Sequence, residues 1–438
     1  MRRSSGLIAH NREGNLLLAG AARIPHEEGF GEKIGSFLVG LGYRGQPYES
    51  AALFLLRVTP QGIPDSGFGR NGSVTTPLLP RKNRDSAAVT ALVVDERGRT
   101  IVVGWRTLST WLDASVPVIF AARYTCSGEL DTSFGDRGIV TTRIDKAGAT
   151  QAYAAAVDGS GRLLVVGYNG GGKERSSVGS FDDWPVRAVL LRYTDSGVLD
   201  TSFGVGGIAS RVIVPSGSEG QAGRDFLLYD SDHIKAAGLL LDGSGRAVVA
   251  VAGGEGPMVL MRYTQDGVLD SRFGSAGVVQ TPLGKLANVA ALSWDAEGRL
   301  IAAGTSDGSS VLLRFSADGV LDATFGESGM CRTPLSEGLR VSAALPDRDG
   351  HLLVVASGKN SVQLSRYDPE GRPDASFGSN GTINTTLDRN VAPAAGLAID
   401  ENGIPVVAVV SGNGIVTLRY NRGGAVGQSF QALPQAAP

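Results

Sequence analysis

Six aspartates are the first residues in this 438-residue chain whose type and spacing invite a chemical reading. Asp65, Asp131, Asp200, Asp270, Asp322 and Asp374 each stand eight residues after an arginine and three before a phenylalanine. Carboxylates placed so regularly suggest calcium, which takes roughly six to eight oxygens, commonly from several acids close together. Each segment offers one fixed Asp, so turn formation is the better reading: the carboxylate accepts backbone N–H groups within its own loop.

The histidines offer the other possible chemistry. Four are present. His10 and His351 fall beside tight turns, whereas His26 (with Glu27 and Glu28) and His233 (with Asp230 and Asp232) fall in longer loops. Converging across one mouth, the last two would suit an acid–base pair or metal ligands. No H-E-x-x-H, P-loop or G-x-S-x-G motif accompanies them. Loop residues of these types are ordinarily just solvated. The expectation is therefore no catalytic residue, metal or cofactor, with His26 and His233 as the alternative pair of a hydrolase or lyase.

The elements that carry these residues repeat. RYTDSGVLDTSFGVGG, from Arg192, recurs with small changes from Arg57, Arg123, Arg262, Arg314 and Arg366, and a worn copy starts at Arg419. Glycines follow the arginine at +5 in all seven copies, and at +12 and +15 in the first six. They suit positive-φ positions, and the Phe at +11 reads as a plug under the loop. Around each motif lie four short apolar or β-branched runs. Strand a follows the motif (IVTT, 139–142) and strand b ends in D-x-x-G-R. Strand c comes at once (LLVVG), and strand d carries the motif arginine. No stretch shows convincing helical periodicity.

Such a unit predicts an all-β fold, a seven-bladed β-propeller of four-stranded antiparallel blades, with an open solenoid as the alternative. Counting each blade from strand a places the blades near 73–124, 139–193, 208–263, 278–315, 330–367 and 382–420. The first, 6–59, then lacks a strand, which the C-terminal tail (QALPQ, 431–435) would supply. The core Y-x-x-x-G-x-L-D-x-S-F-G-x-x-G, with its D-x-x-G-R-[LI]-L-V-V-G companion, resembles the bacterial delta-60 repeat proteins from about Leu16 to Phe430. Unit 7 departs from it, with Gly427 at the Asp position and Gln431 at the Gly position. The resemblance implies a propeller-like architecture, a bacterial source and, for many relatives, export or surface exposure. It implies no catalytic residue.

The rest of the composition narrows the partners. Net charge is −2 with no basic run, so neither nucleic acid nor an acidic membrane surface is expected. Two cysteines exclude a disulfide-stapled chain. The N-terminus shows no apolar leader and the chain no membrane span, so a cytoplasmic monomer is expected.

What does not repeat is where specific chemistry belongs. Motif arginines are spaced 66, 69, 70, 52, 52 and 53 residues apart, and the extra length sits at 21–50, 105–115, 168–185 and 215–235. Three of these are c–d loops and one is an a–b loop, which leave a meander on the same face. Trp105, Trp111, Trp184, Phe181, Tyr229 and Tyr48 lie in them. Aromatics interleaved with charge suit a surface that holds a protein, peptide or glycan without catalysis. Mutual packing of the loops as a cap over the ring is the competing reading.

Overall fold

A computed structural model describes residues 7–11, 15–25, 49–59, 62–78, 87–108, 116–144, 149–170, 187–212, 235–252, 257–284, 288–358, 360–387, 391–400, 402–411 and 414–432. Four consecutive antiparallel strands form each of seven sheets, covering 7–77, 87–142, 149–212, 235–281, 288–334, 340–386 and 391–432. These are blades 1 to 7 of a β-propeller. Among the described residues there is no helix, and hence none long and apolar enough to cross a membrane.

The first strand of every blade lies beside the first strands of its two neighbours, and that of blade 7 lies beside that of blade 1. These strands therefore line the axis. Burial follows from this position. The two middle strands are covered on both faces by neighbouring blades, so they read as unbroken apolar runs: every residue of Ala247–Ala252 and of Met258–Tyr263 is buried. First strands are half-buried, as the mixed pattern of Ala87–Val94 shows. The core is thus divided into seven clusters, one between each pair of neighbouring blades.

First strands of blades 2 to 7 carry a bulge in their pairing with the second strand. The bulge presses a carbonyl against the glycine that ends strand c. A Cβ at Gly104 would sit 1.9 Å from the Ala88 oxygen, and Gly167 and Gly304 are as crowded by Gln151 and Asn288. This accounts for the repeated V-V-G and A-A-G endings.

The expected blade boundaries need correction. The run after each motif does not start the next sheet: Ser73–Pro77 pairs with Glu49–Val58 and completes blade 1. Ile139–Thr142 completes blade 2 in the same way. Each blade therefore runs b, c, d, a, from axis to rim. The reason lies in the loop, whose ends are tied together by Arg57 N–H to Gly72 O, at 2.8 Å, so the chain must return beside the strand it left. Blade 1 consequently lacks nothing. The C-terminal strand Val426–Ala432 pairs with Gly414–Tyr420 and completes blade 7, so no strand is exchanged between the chain ends. The ring closes by side-chain packing, with Leu16, Leu18, Phe54, Leu56 and Val58 of blade 1 on Ala398, Val406 and Ala408 of blade 7.

Candidate functional site: two rims of the propeller

Strand order divides the loops between two rims. The b–c turns and the motif loops emerge on one, and the c–d loops and inter-blade a–b connections on the other.

On the motif rim, each loop is built around its arginine. In the first six copies the arginine Nε donates to Oδ2 of the motif aspartate at 2.7–2.9 Å. The other carboxylate oxygen accepts the N–H two residues on, as Asp65 does from Gly67 at 2.9 Å. The guanidinium lies over the motif phenylalanine, 4.5–4.8 Å from the ring centre, a cation–π contact shielded from water. Both oxygens of each aspartate are thus engaged in turn and arginine, which is the turn-forming role its spacing suggests.

The same arginine reaches forward to the next blade. Nη1 of Arg57 donates to the Cys126 carbonyl at 2.6 Å. Those of Arg123, Arg192, Arg262, Arg314 and Arg366 donate to the carbonyls of Asp195, Gln265, Ala317, Pro369 and Arg422. Beside each of these bonds, the +12 glycine N–H donates to the next loop, as Gly135 does to Ser196 at 2.8 Å. The +5 glycine of that loop closes over the phenylalanine. A Cβ at Gly197 would meet the Phe134 ring at 2.9 Å, and φ there is +82°. Only glycine fits both demands.

The tyrosine after the arginine reaches backward. Tyr124 donates to Thr76 of blade 1 at 2.8 Å, Tyr193 to Thr142 of blade 2 at 2.7 Å, and Tyr420 pairs with Thr385 of blade 6 at 3.2 Å. Burial raises the hydroxyls of Tyr124 and Tyr420 to about 12 against the opposing pull of those threonines, and Tyr193 is raised too. The aspartates shift the other way. The Ser202 hydroxyl holds Asp200 below the ordinary carboxylate value against the cost of burial, helped by the Ser202 N–H and Arg192; Thr324 and Arg314 do this for Asp322. The arginine is thus the centre of the loop, and its invariance in all seven copies is the signal that marks it.

The opposite rim carries the residues predicted to bind. Strands end at Pro25, Leu108, Gly170 and Val212 and resume at Glu49, Val116, Arg187 and Lys235, so the connections 26–48, 109–115, 171–186 and 213–234 all leave from this rim. Trp111, Trp184, Phe181, Tyr229 and Tyr48 lie outside the described residues, as do His26 and His233. Trp105 requires correction. It sits inside the strand Thr100–Leu108, paired with Ala88 and Ile119, and is 9% exposed. Pairing continues to Leu108, opposite Val116, so Trp105 belongs to the blade and not to the loop.

Comparison with known proteins agrees with this architecture. A family model described as a "domain of unknown function (DUF5122) beta-propeller" matches residues 296–325, which supports a β-propeller repeat family. Comparison with curated proteins returned no match. Among solved structures, a Lactobacillus plantarum protein is similar with a TM-score of 0.52 at 12% identity, covering 87% of this chain and 93% of its own. A Bacteroides caccae protein of unknown function gives 0.40 at 11% identity, covering 75% and 93%. A puromycin hydrolase gives 0.44 at 14% identity, covering 99% of this chain but 55% of its own. At 12% identity the likeness to the Lactobacillus plantarum protein concerns the fold alone.

Proposed function

We propose that this chain is a binding scaffold of the delta-60 repeat type, whose long-loop rim holds a protein, peptide or glycan. One observation carries the reading: the two rims are built to different ends. On the motif rim the conserved side chains are consumed in bonds within and between blades, leaving them no chemistry to spare. On the opposite rim lie the four insertions that interrupt the repeat, carried by blades 1 to 4, and the connections 26–48, 109–115, 171–186 and 213–234 hold Trp111, Trp184, Phe181, Tyr229 and Tyr48. Large aromatics anchor interfaces because they bury much area at little conformational cost.

The test begins with a glycan array and a displayed peptide library screened against the full chain. A retained binder is then measured on Trp111→Ala and Trp184→Ala. Each should lose roughly 2 kcal/mol or more of affinity while the melting temperature holds. Substitution of the exposed Glu129, or of Gln265, on the motif rim should leave binding unchanged. A binder indifferent to both tryptophans but sensitive to Glu129 would place the surface on the other rim. Loss of stability without loss of affinity would make the loops a cap.

A further inference from the structure

Blades 2 to 5 set an arginine between two carboxylates, and blade 6 sets a histidine there. Arg99, Arg162, Arg246 and Arg299 close their b–c turns by donating Nε to the turn's own aspartate at 2.6–2.7 Å. A terminal nitrogen of each then faces the motif aspartate of the same blade at 3.3–3.9 Å. In blade 6 the turn is Asp347-Arg348-Asp349-Gly350-His351, and the two carboxylates are Asp347 and Asp374. Asp374 still pairs with Arg366 at 2.7 Å, but the guanidinium that links the two acids elsewhere is gone.

We propose that a divalent transition-metal ion takes its place, held by Nδ1 of His351 and the carboxylates of Asp347 and Asp349. These three side chains bring one ligand atom each to within 4.8 Å of one another. Three further observations favour a metal over a simple hydrogen bond. Nδ1 of His351 is buried and makes no hydrogen bond. It stands 3.4 Å from Oδ2 of Asp347, too far for a strong charged bond. That separation suits two neighbouring ligands of a tetrahedral ion, which bonds of about 2.0–2.2 Å place roughly 3.3–3.5 Å apart.

The second ring nitrogen is also suitably placed. Nε2 faces Oδ2 of Asp374 at 3.7 Å, and a carboxylate behind the far nitrogen leaves Nδ1 as the lone-pair donor. Asp347 is pre-set as well, since its Oδ1 accepts the N–H groups of Asp349 and His351, both at 2.9 Å, which turns Oδ2 toward the imidazole. Asp349 lines a pocket of about 270 Å³ between blades 5 and 6, with Arg299, Arg348 and Asp368 on its walls. Of the three ligands Asp349 alone stands on that pocket's wall, so water or a small anionic ligand would reach the ion from its side to complete the shell.

The test uses untagged full-length chain stripped with chelator and titrated calorimetrically with Zn²⁺, with Co²⁺ absorption to report geometry. A Cys126→Ser background removes the exposed thiol as a rival ligand. One equivalent of Zn²⁺ should bind, and Co²⁺ should give the intense visible bands of a tetrahedral site. His351→Arg, which restores the residue of blades 2 to 5, should abolish binding and keep the melting temperature. Asp349→Asn, which alters an exposed side chain and leaves the backbone hydrogen bonds of the turn to Asp347 Oδ1 in place, should weaken it at least tenfold. Absence of Zn²⁺ binding in the parent protein, or equal binding in both variants, would overturn the proposal.

Discussion

The junctions between consecutive blades and the junction between the chain ends solve the same problem with different residues. From blade 1 to blade 7 each blade holds the next by an arginine that is paired to its own aspartate, stacked on its own phenylalanine and bonded to the following loop. At the chain ends the pattern lapses. Blade 7 has Gly427 where the aspartate belongs, and Arg419 donates instead to Asp400 in its own b–c turn. Blade 1 has Val58, 1% exposed, where blades 2, 3, 6 and 7 have a tyrosine bonded back to the preceding blade. Val58 packs on blade 7 within an apolar cluster. The lesson is that a directional bond needs a partner in a fixed repeat register, whereas apolar packing tolerates the mismatch where the first and last units meet.

The largest effect should come from breaking one arginine link. Arg123→Ala removes a side chain 1% exposed that pairs with Asp131 at 2.8 Å, leaving that carboxylate Arg99 at 3.7 Å and its bonds from Ser133. The expected cost is about 3–5 kcal/mol in urea unfolding, because one member of a largely buried ion pair is removed. A cost under about 1 kcal/mol would mean that the link is ornamental to stability.

At the chain-end junction, Leu18→Ala should cost about 3 kcal/mol through lost burial and the cavity left between blades 1 and 7. This cost should be the same at pH 5 and pH 8, since no titrating group lies in that cluster. A pH-dependent penalty would show that an ionic contact shares the work there.

The smallest effect separates the two kinds of junction by proton linkage. Tyr193→Phe removes a buried hydroxyl bond to Thr142 and should cost about 1 kcal/mol at neutral pH. Tyrosines raised in the folded state contribute fully below their ordinary value of about 10. That contribution is lost as pH climbs toward about 12, the value for Tyr124. Melting temperature should therefore fall across that window, and Tyr124→Phe should flatten the fall. The aspartates give the mirror image. Being depressed, they contribute above the ordinary carboxylate range near 4, and the protein loses that stability as pH falls below it. An acid limb beginning well above pH 5 would point to other groups.

Much of this architecture was legible because its signals are local. The aspartate's turn needs only residues within its own loop, and the phenylalanine plug and the strand count follow from spacing and alternation. Placing the four insertions on one rim survived the change of strand grouping, because b–c and motif loops share a rim under either count. The grouping itself had a signal that alternation does not carry. In blades 1 to 6 the motif loop has constant length while the a–b connections vary, as a loop within a blade and a link between blades should. Trp105 went astray for a similar reason: a loop boundary is set by where pairing stops, and the paired residues Ala88 and Ile119 lie in other strands.

The sequence by itself determined seven units, their turns and the absence of a familiar catalytic motif, since these rest on short-range sterics and hydrogen bonding. Tertiary structure alone decided what the arginines do. Nη1 of Arg123 finds its acceptor at the carbonyl of Asp195, a backbone oxygen in the next blade. A carbonyl leaves no mark in a sequence, because every residue has one. Which carbonyl is used depends on how one sheet packs against the next. His351 makes the same point from the other side: its departure from arginine is plain in the sequence, but its buried Nδ1 and the 3.4 Å to Asp347 exist only once the turn is folded.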